Sequence, residues 1–251
     1  FSSPVGQNLT FMRFAIFGDI HANLHALQAV LADAQEQSCT HHACMGDIVG
    51  YNAYPKECLD IIRELDCPVV KGNHDELASL EGPIEGLNPL AELSLKWTRA
   101  QLPEEDREWL RNLRMQRQVR DFTIVHATLD TPQNWAYIMT QLDAAASFSY
   151  QHTNLCFVGH THTPKAYVRD EGVRTEPLDV LSILKKNKYL INVGSVGQSR
   201  DGDSRSAYCI FDTDTNEVTL RRVPYDISAA QKGIIEAGLP SKLATRLVTG
   251  R

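Results

Sequence analysis

Five short apolar runs in this chain each end beside a small residue and a polar side chain that can bind a metal ion. The runs are brief and rich in β-branched and aromatic residues, which predicts buried strands that lead into loops. Glycine permits sharp turns and a close approach of the backbone to a ligand, so such loops can hold polar groups on a rigid frame. The motifs, in chain order, are GDIHAN, GDIVG, GNHD, VHA and GHTH.

Strands and helices alternate early in the chain, and strands dominate from about residue 165 to 222. Asn23 is predicted to cap the first helix, and residues 67–75 are predicted to form a strand that runs into a loop. This order predicts an α/β fold, a layered sandwich of mixed sheets in a single domain of residues 12–251. Residues 1–11 are expected to be an expression remnant or a disordered extension.

The chain has 251 residues and a formal net charge of -6. This charge argues against a protein that coats extended nucleic acid through a basic surface. A small anionic substrate is compatible with the charge, because bound metal can supply positive charge locally.

No apolar run approaches the roughly 18 residues of a membrane span, so a membrane partner is not expected. The six cysteines form no C-x-x-C pair, which favours reduced, buried thiols in a cytoplasmic protein. The sequence leaves a homo-oligomer open.

His160 and His162 illustrate the chemistry of the motifs. They lie one residue apart after a predicted strand, so both rings face one side of an extended chain. Imidazole and carboxylate together suit zinc or transition metals better than calcium, which prefers oxygen ligands. The motifs offer more such groups than one ion that keeps a water can bind, and two ions sharing a carboxylate would use them. Two hydrogen-bonded loop histidines are the alternative for this pair taken alone.

The ordered series of five motifs resembles the calcineurin-like metallophosphoesterase superfamily. The segment NVGSVGQSRDGDSRSAY and the AGLP segment near the C-terminus resemble a bacterial branch related to diadenosine tetraphosphatases. The resemblance covers nearly all of residues 12–251. It implies a double β-sandwich flanked by helices. It also implies two divalent ions as cofactors, Mn, Fe, Zn or Ni, with Mn favoured.

The resemblance also implies a role for each motif residue. The first ion would be held by Asp19, His21, Asp47 and His162. The second ion would be held by Asp47 again, Asn73, His126 and His160. A hydroxide bridging the ions would attack phosphorus, and His74 would serve as acid or electrostatic stabiliser at the leaving oxygen rather than as a ligand.

One motif departs from the phosphoprotein phosphatases of this superfamily. Gly50 stands where those enzymes carry an aspartate that orients the catalytic histidine, and their adjacent arginine is absent. Asp75 is one candidate to replace that aspartate. Arg200 is the candidate cation for substrate phosphate, with a surface arginine paired with acids as the alternative. Asn23 is either a substrate contact or only a helix cap.

The sequence therefore predicts a dinuclear metal-dependent phosphoesterase that acts on phosphodiester or phosphoanhydride bonds of a small anionic phosphate ester, a nucleotide-type substrate. Two alternatives stay open: a phosphoprotein phosphatase-like phosphomonoesterase, and a non-catalytic metal-binding scaffold on the same fold. Trp135 and Tyr137, in the predicted loop of residues 128–140, either stack on a nucleobase or pack the loop down, and packing is favoured.

Overall fold

The computed structural model describes residues 11–84 and 86–251. The expected N-terminal extension, residues 1–11, lies outside the described residues apart from Phe11. In chain order the strands are β1 (Arg13–Phe17), β2 (His41–Cys44), β3 (Gln116–Val119), β4 (Phe122–Val125), β5 (Leu155–Val158), β6 (Lys165–Arg169), β7 (Val173–Glu176), β8 (Val180–Ser182), β9 (Lys188–Asn192), β10 (Ser206–Asp212) and β11 (Glu217–Val223).

The strands form two mixed sheets. One sheet has the order β2-β1-β10-β11-β8, and the other has the order β3-β4-β5-β9-β6-β7. In the first sheet β1 and β2 run parallel. In the second sheet β4, β5 and β9 run parallel. The expected layered α/β sandwich of mixed sheets is confirmed.

Helices flank the sheets. They are α1 (Leu24–Glu36), α2 (Pro55–Glu64), α3 (Asn73–Ser79), α4 (Pro89–Gln101), α5 (Glu104–Arg111), α6 (Gln141–Tyr150), α7 (Ile227–Glu236) and α8 (Ser241–Thr249). Asn23 caps α1 as predicted, because its side-chain oxygen accepts a hydrogen bond from the backbone of Ala26. Within the described ranges, no helix combines the length and apolar character that a membrane crossing requires.

Strand β1 shows that the first sheet is covered on both faces. Phe14 and Ile16 point into the core between the sheets, where the Phe14 ring meets Phe122 edge-on at 5.2 Å. Ala15 and Phe17 point the other way, into the core beneath the helices. Alternate residues of a strand face opposite sides, so a strand buried on both sides reads as one continuous apolar run.

Residues 67–75, predicted as a strand that runs into a loop, are extended only at Val69 and Val70 and then enter a helix. Val69 and Val70 make only isolated bridges, and the following residues open α3. The Asp75 carboxylate accepts a hydrogen bond from the backbone N–H of Gly72, which stabilises the first turn of that helix. Helices α7 and α8, for which no sequence pattern gives a prediction above, pack on the side of Tyr51.

Candidate metal centre

The five motif loops converge on one place. Four of them follow the carboxyl ends of β1, β2, β4 and β5, which is where ligands bind in sheets of parallel strands. Two clusters result, in each of which one candidate ligand atom per residue lies within 4.8 Å of the others. The clusters are Asp19, His21, Asp47 and His162, and Asp47, His126 and His160. Asp47 belongs to both clusters.

Backbone geometry at the clusters is unusual. Left-handed φ values, uncommon outside glycine, occur at five of the seven predicted ligands: Asp19 (50°), His21 (49°), Asp47 (50°), His160 (68°) and His162 (59°). Such conformations cost free energy and persist only where the surroundings impose them, so their concentration here points to a functional site.

Hydrogen bonds between the loops hold this backbone in place. The Asp19 N–H donates to the Gly46 carbonyl at 2.9 Å, and the His21 N–H donates to the Asp47 carbonyl at 2.9 Å. Gly159 is required for a different reason, because a Cβ there would overlap the Asp19 carboxylate. The glycines and polar residues of the motifs therefore act together to bring the loops into contact.

Hydrogen bonds to backbone carbonyls fix the tautomers of three histidines. The Nδ1 atoms of His21, His126 and His162 lie 3.2, 2.7 and 2.5 Å from the carbonyls of residues 49, 45 and 198. A carbonyl only accepts, so each Nδ1 carries the hydrogen and each neutral ring presents an Nε2 lone pair. The Nε2 atoms of His21 and His162 face each other at 3.0 Å. Two opposed lone pairs repel each other unless a cation lies between them.

His160 is held in the opposite sense. Its Nε2 donates to the Trp135 carbonyl at 2.8 Å, which leaves Nδ1 as the free lone pair. Its backbone N–H donates to both carboxylate oxygens of Asp19, at 3.1 and 3.0 Å. The ring therefore uses one nitrogen on the protein and leaves the other able to bind a metal ion.

The pKa shifts of Asp47 and His126 also indicate that the clusters favour positive charge. Burial acts to raise the pKa of Asp47, but nearby histidines, His126 first, hold it well below its usual range. Burial acts to lower the pKa of His126, yet the Asp47 carboxylate raises it to about 9. The Oδ2 of Asp47 lies 3.5 Å from Nε2 of His21 and 3.4 Å from Nε2 of His126. Bound cations would supply the positive charge that these carboxylates attract.

Asn73 adds an amide oxygen. Its side-chain oxygen is buried and has no hydrogen-bond partner among the residues that the structure describes. A buried, unpaired acceptor is costly, and a metal ion would satisfy it. Imidazole nitrogens, carboxylates and this amide oxygen form a donor set that suits divalent transition ions.

His74 lies beside the clusters and is held by packing. Its ring centroid is 4.5 Å from that of Tyr51 and 4.7 Å from that of His21. In the described part of the chain its Nδ1 has no hydrogen-bond partner, and a Cβ at Gly50 would overlap that nitrogen. Burial lowers the pKa of His74 to about 4.

Tyr51 is a residue of the site that the sequence motifs did not identify. It could have been noticed as the aromatic residue directly after GDIVG.

Asp75 does not take over the orienting role considered for it. Its carboxylate accepts hydrogen bonds from the backbone N–H groups of Asp47 and Ile48 at 2.8 Å and of Gly72 at 3.0 Å. These bonds occupy the carboxylate oxygens and join two motif loops. Asp75 therefore anchors the backbone that carries Asp47 instead of orienting the His74 ring.

A cleft of about 180 Å³ opens beside the clusters, lined in part by His74, Tyr137 and Arg200. Arg200 is not paired with the acids that follow it in sequence, because Asp201 pairs with Arg222 and Asp203 pairs with Arg205. Its guanidinium instead donates to the Gln198 side chain at 3.2 Å. The geometry leaves Arg200 available to an anion in the cleft.

Asn23 has no such freedom. Its side-chain oxygen caps α1, its side-chain nitrogen donates to the Gly197 carbonyl at 3.0 Å, and the residue is buried. Both ends of the side chain are engaged within the protein. The helix-cap interpretation accounts for Asn23, and the substrate-contact interpretation finds no support in these contacts.

Trp135 and Tyr137 differ in their surroundings. Trp135 packs against His126, with ring centroids 6.0 Å apart, and its carbonyl holds His160. Tyr137 stacks on the His160 ring at 4.1 Å and is 50% exposed. Packing therefore accounts for Trp135, while the Tyr137 ring packs and also offers exposed aromatic surface at the cleft.

Comparison with known proteins agrees with this geometry. Residues 12–216 match the calcineurin-like phosphoesterase superfamily domain. An uncharacterized protein of Methanocaldococcus jannaschii, MJ0912, is 35% identical over 242 residues, which cover 94% of this chain and 98% of that protein.

Solved structures share the fold. A metallophosphoesterase from Sphaerobacter thermophilus is 40% identical, with a TM-score of 0.84 over 96% of this chain and 100% of that chain. A protein proposed to be a diadenosine tetraphosphatase has a TM-score of 0.52 over 87% of this chain and 96% of that chain, and its 15% identity shows a shared fold alone. The chain belongs to the calcineurin-like phosphoesterase superfamily and is a metal-dependent phosphoesterase whose substrate is a small phosphate ester.

Proposed function

We propose that this chain uses two divalent ions to hydrolyse phosphodiester or phosphoanhydride bonds of a nucleotide-type substrate. The observation that carries the proposal is the pair of ligand clusters that share Asp47. Asp47 would bridge the ions, Asp19, His21 and His162 would complete the first site, and Asn73, His126 and His160 would complete the second.

When bound, the ions would activate a water and offset the negative charge on the phosphate oxygens; Mn is the favoured metal. The chain itself would orient the substrate. Arg200 lines the cleft and would bind a phosphate oxygen, and His74 lines the same cleft and would donate a hydrogen bond to the leaving oxygen. Asp75 would hold the backbone around Asp47 in place, and the backbone carbonyls that accept hydrogen bonds from the histidine Nδ1 atoms would hold the imidazole rings.

Two features favour a nucleotide over a phosphoprotein. Gly50 and the missing arginine separate the second motif from that of the phosphoprotein phosphatases. The Tyr137 ring, half exposed at the mouth of the cleft, is a surface on which a nucleobase could stack. Stacking there would add to the packing role of Tyr137, because one face of the ring already lies on His160.

A substrate screen tests the proposal. The protein, stripped of metal by a chelator and reloaded with Mn²⁺, would be assayed with p-nitrophenyl phosphate, bis-p-nitrophenyl phosphate, cyclic nucleotides, dinucleoside polyphosphates and phosphoserine peptides. We expect the highest kcat/KM on a nucleotide diester or anhydride. A clear preference for phosphoserine peptides would favour the protein-phosphatase alternative, and no turnover of any ester with metal bound would favour a scaffold.

A further inference from the structure

Arg246, on α8, lies close to the cleft although no motif predicts it. The guanidinium carbon of Arg246 is 5.9 Å from the centroid of the Tyr51 ring. The guanidinium carbon of Arg200 is 6.0 Å from the same centroid. Tyr51 itself lines the cleft beside His74. Two arginines from distant parts of the chain are thus gathered around one residue of the proposed active site.

Neither arginine has an Asp or Glu side chain as partner in the described ranges. No side-chain carboxylate of residues 11–84 or 86–251 lies within 4.0 Å of either guanidinium, whereas Arg63, Arg107 and Arg222 all form such pairs. The Nε of Arg200 is buried and has no hydrogen-bond partner there. Arg246 donates through Nε to the main-chain oxygen of Arg251 at 3.0 Å, and its terminal nitrogens form no ion pair with a side-chain carboxylate in the described ranges.

The two positive charges also repel each other. Burial first, and then the charge of Arg200, lower the pKa of Arg246. Like charges held close together destabilise a protein, and an anion bound between them relieves the repulsion. Arginine is the residue best suited to hold a phosphate, because its planar fork of donors matches the phosphate oxygens.

Helix α8 is fixed in the place that brings Arg246 here. Leu243 and Leu247 of α8 are buried in a core shared with Ile234 of α7. The N–H of Gly202, two residues after Arg200, donates to the Gly250 carbonyl at 2.9 Å. The end of α8 is therefore hydrogen-bonded directly to the loop that carries Arg200. The fold itself fixes the relative positions of the two segments that carry the arginines.

We propose that Arg246 and Arg200 form a subsite for a second phosphate group of the substrate. The inference rests on the proposed function, because it places the first phosphoryl group at the metal clusters. Arg200 shares the cleft with His74, the proposed partner of the leaving oxygen, so the second phosphate belongs to the leaving group. The substrate class is then a phosphoanhydride or another nucleotide with adjacent phosphates, and not a simple monoester.

The test compares AMP with α,β-methylene-ADP, a form of ADP whose bridging carbon prevents hydrolysis and which is meant by ADP below; the two ligands differ by one phosphate group. Calorimetry on the Mn²⁺-loaded protein, at constant free Mn²⁺, would give both Kd values for the wild-type chain, Arg246→Ala, Arg246→Lys and Lys242→Ala. We expect Arg246→Ala to weaken ADP about tenfold and AMP by less than about twofold, as for loss of a charge-assisted hydrogen bond. Arg246→Lys should lie between, because it keeps the charge but loses the fork.

Lys242→Ala is the matched control, since it removes one positive charge from an exposed position on the same helix. Equal weakening of AMP and ADP in Arg246→Ala, or the same loss in Lys242→Ala, would overturn the subsite. A lower Tm with an unchanged ratio of the two Kd values would also overturn it, since that result means a packing role. Binding does not require turnover. If the wild-type protein hydrolyses no substrate but Arg246→Ala still weakens ADP binding selectively, the proposed function is contradicted and the subsite is supported.

Discussion

At the scale of single residues, the hydrogen-bonded state of the histidines decides what the site can hold. His21, His126 and His162 each use Nδ1 on a backbone carbonyl and turn Nε2 toward the carboxylates. Protein donors that could satisfy these lone pairs are few, because carboxylates only accept hydrogen bonds. A cation is the group that satisfies all of them together.

The shared position of Asp47 leads to the first prediction. Asp47→Asn should reduce the content of both ions, whereas His162→Ala should mainly reduce one, because only Asp47 belongs to both clusters. Elemental analysis of the purified variants gives metal per chain. Equal losses in the two variants would contradict the assignment of Asp47 as the bridge.

The second prediction concerns His74, on which the choice between enzyme and scaffold depends. His74→Asn should keep its metals and its fold, while kcat falls by about 10²–10⁴. The loss should be smaller for nitrophenyl esters than for nucleotide esters, because nitrophenolate leaves with little help. His152→Asn, at an exposed position, is the control and should leave the rate unchanged. Metal loss in His74→Asn, or equal deficits on both esters, would assign His74 another role.

At the scale of elements, Asp75 at the start of α3 joins the loop after β2 to the helix. Its carboxylate is the acceptor for buried backbone N–H groups from both segments. The motif GNHD thus combines a proposed ligand, a proposed acid and a structural anchor in consecutive residues. A small shift of α3 would therefore disturb the proposed ligand, the proposed acid and the structural anchor together.

The third prediction follows from that anchor. Asp75→Ala should lower the free energy of unfolding by about 3 kcal/mol or more, since each orphaned buried donor costs about 1–3 kcal/mol. Metal content should fall with it. Asp226→Ala, which removes an exposed cap of α7, should cost only about 1 kcal/mol and keep the metals. Denaturant unfolding and elemental analysis measure both effects, and similar results for the two variants would contradict the anchor.

The elements also show how far sequence reasoning reaches. The short apolar strands before Asp19, Asp47, His126 and His160 are predictable, because their burial leaves a local pattern. The pattern at GNHD predicts the end of a strand where a helix begins, since the capping bond of Asp75 that starts the helix leaves no signature in hydrophobic periodicity. Arg246 carries no signal in its own segment, and only the docking of α8 brings it to Tyr51.

At the scale of the whole molecule, the two sheets act as one frame. The first sheet delivers Asp19, His21 and Asp47, and the second delivers His126, His160 and His162. The packed core between the sheets, with Phe14 against Phe122, fixes the distance between the two sets. The two sets lie far apart in sequence, and only the sandwich as a whole assembles a centre that two ions could share.

The most direct test of this account is a titration of metal-free protein with Mn²⁺, in which bound metal and phosphoesterase activity are measured on the same samples. We predict no activity after chelation, and activity that returns as metal binds and levels off at about two ions per chain. Full activity in the metal-free protein, or a plateau of activity and binding at one ion per chain, would contradict the shared dinuclear centre.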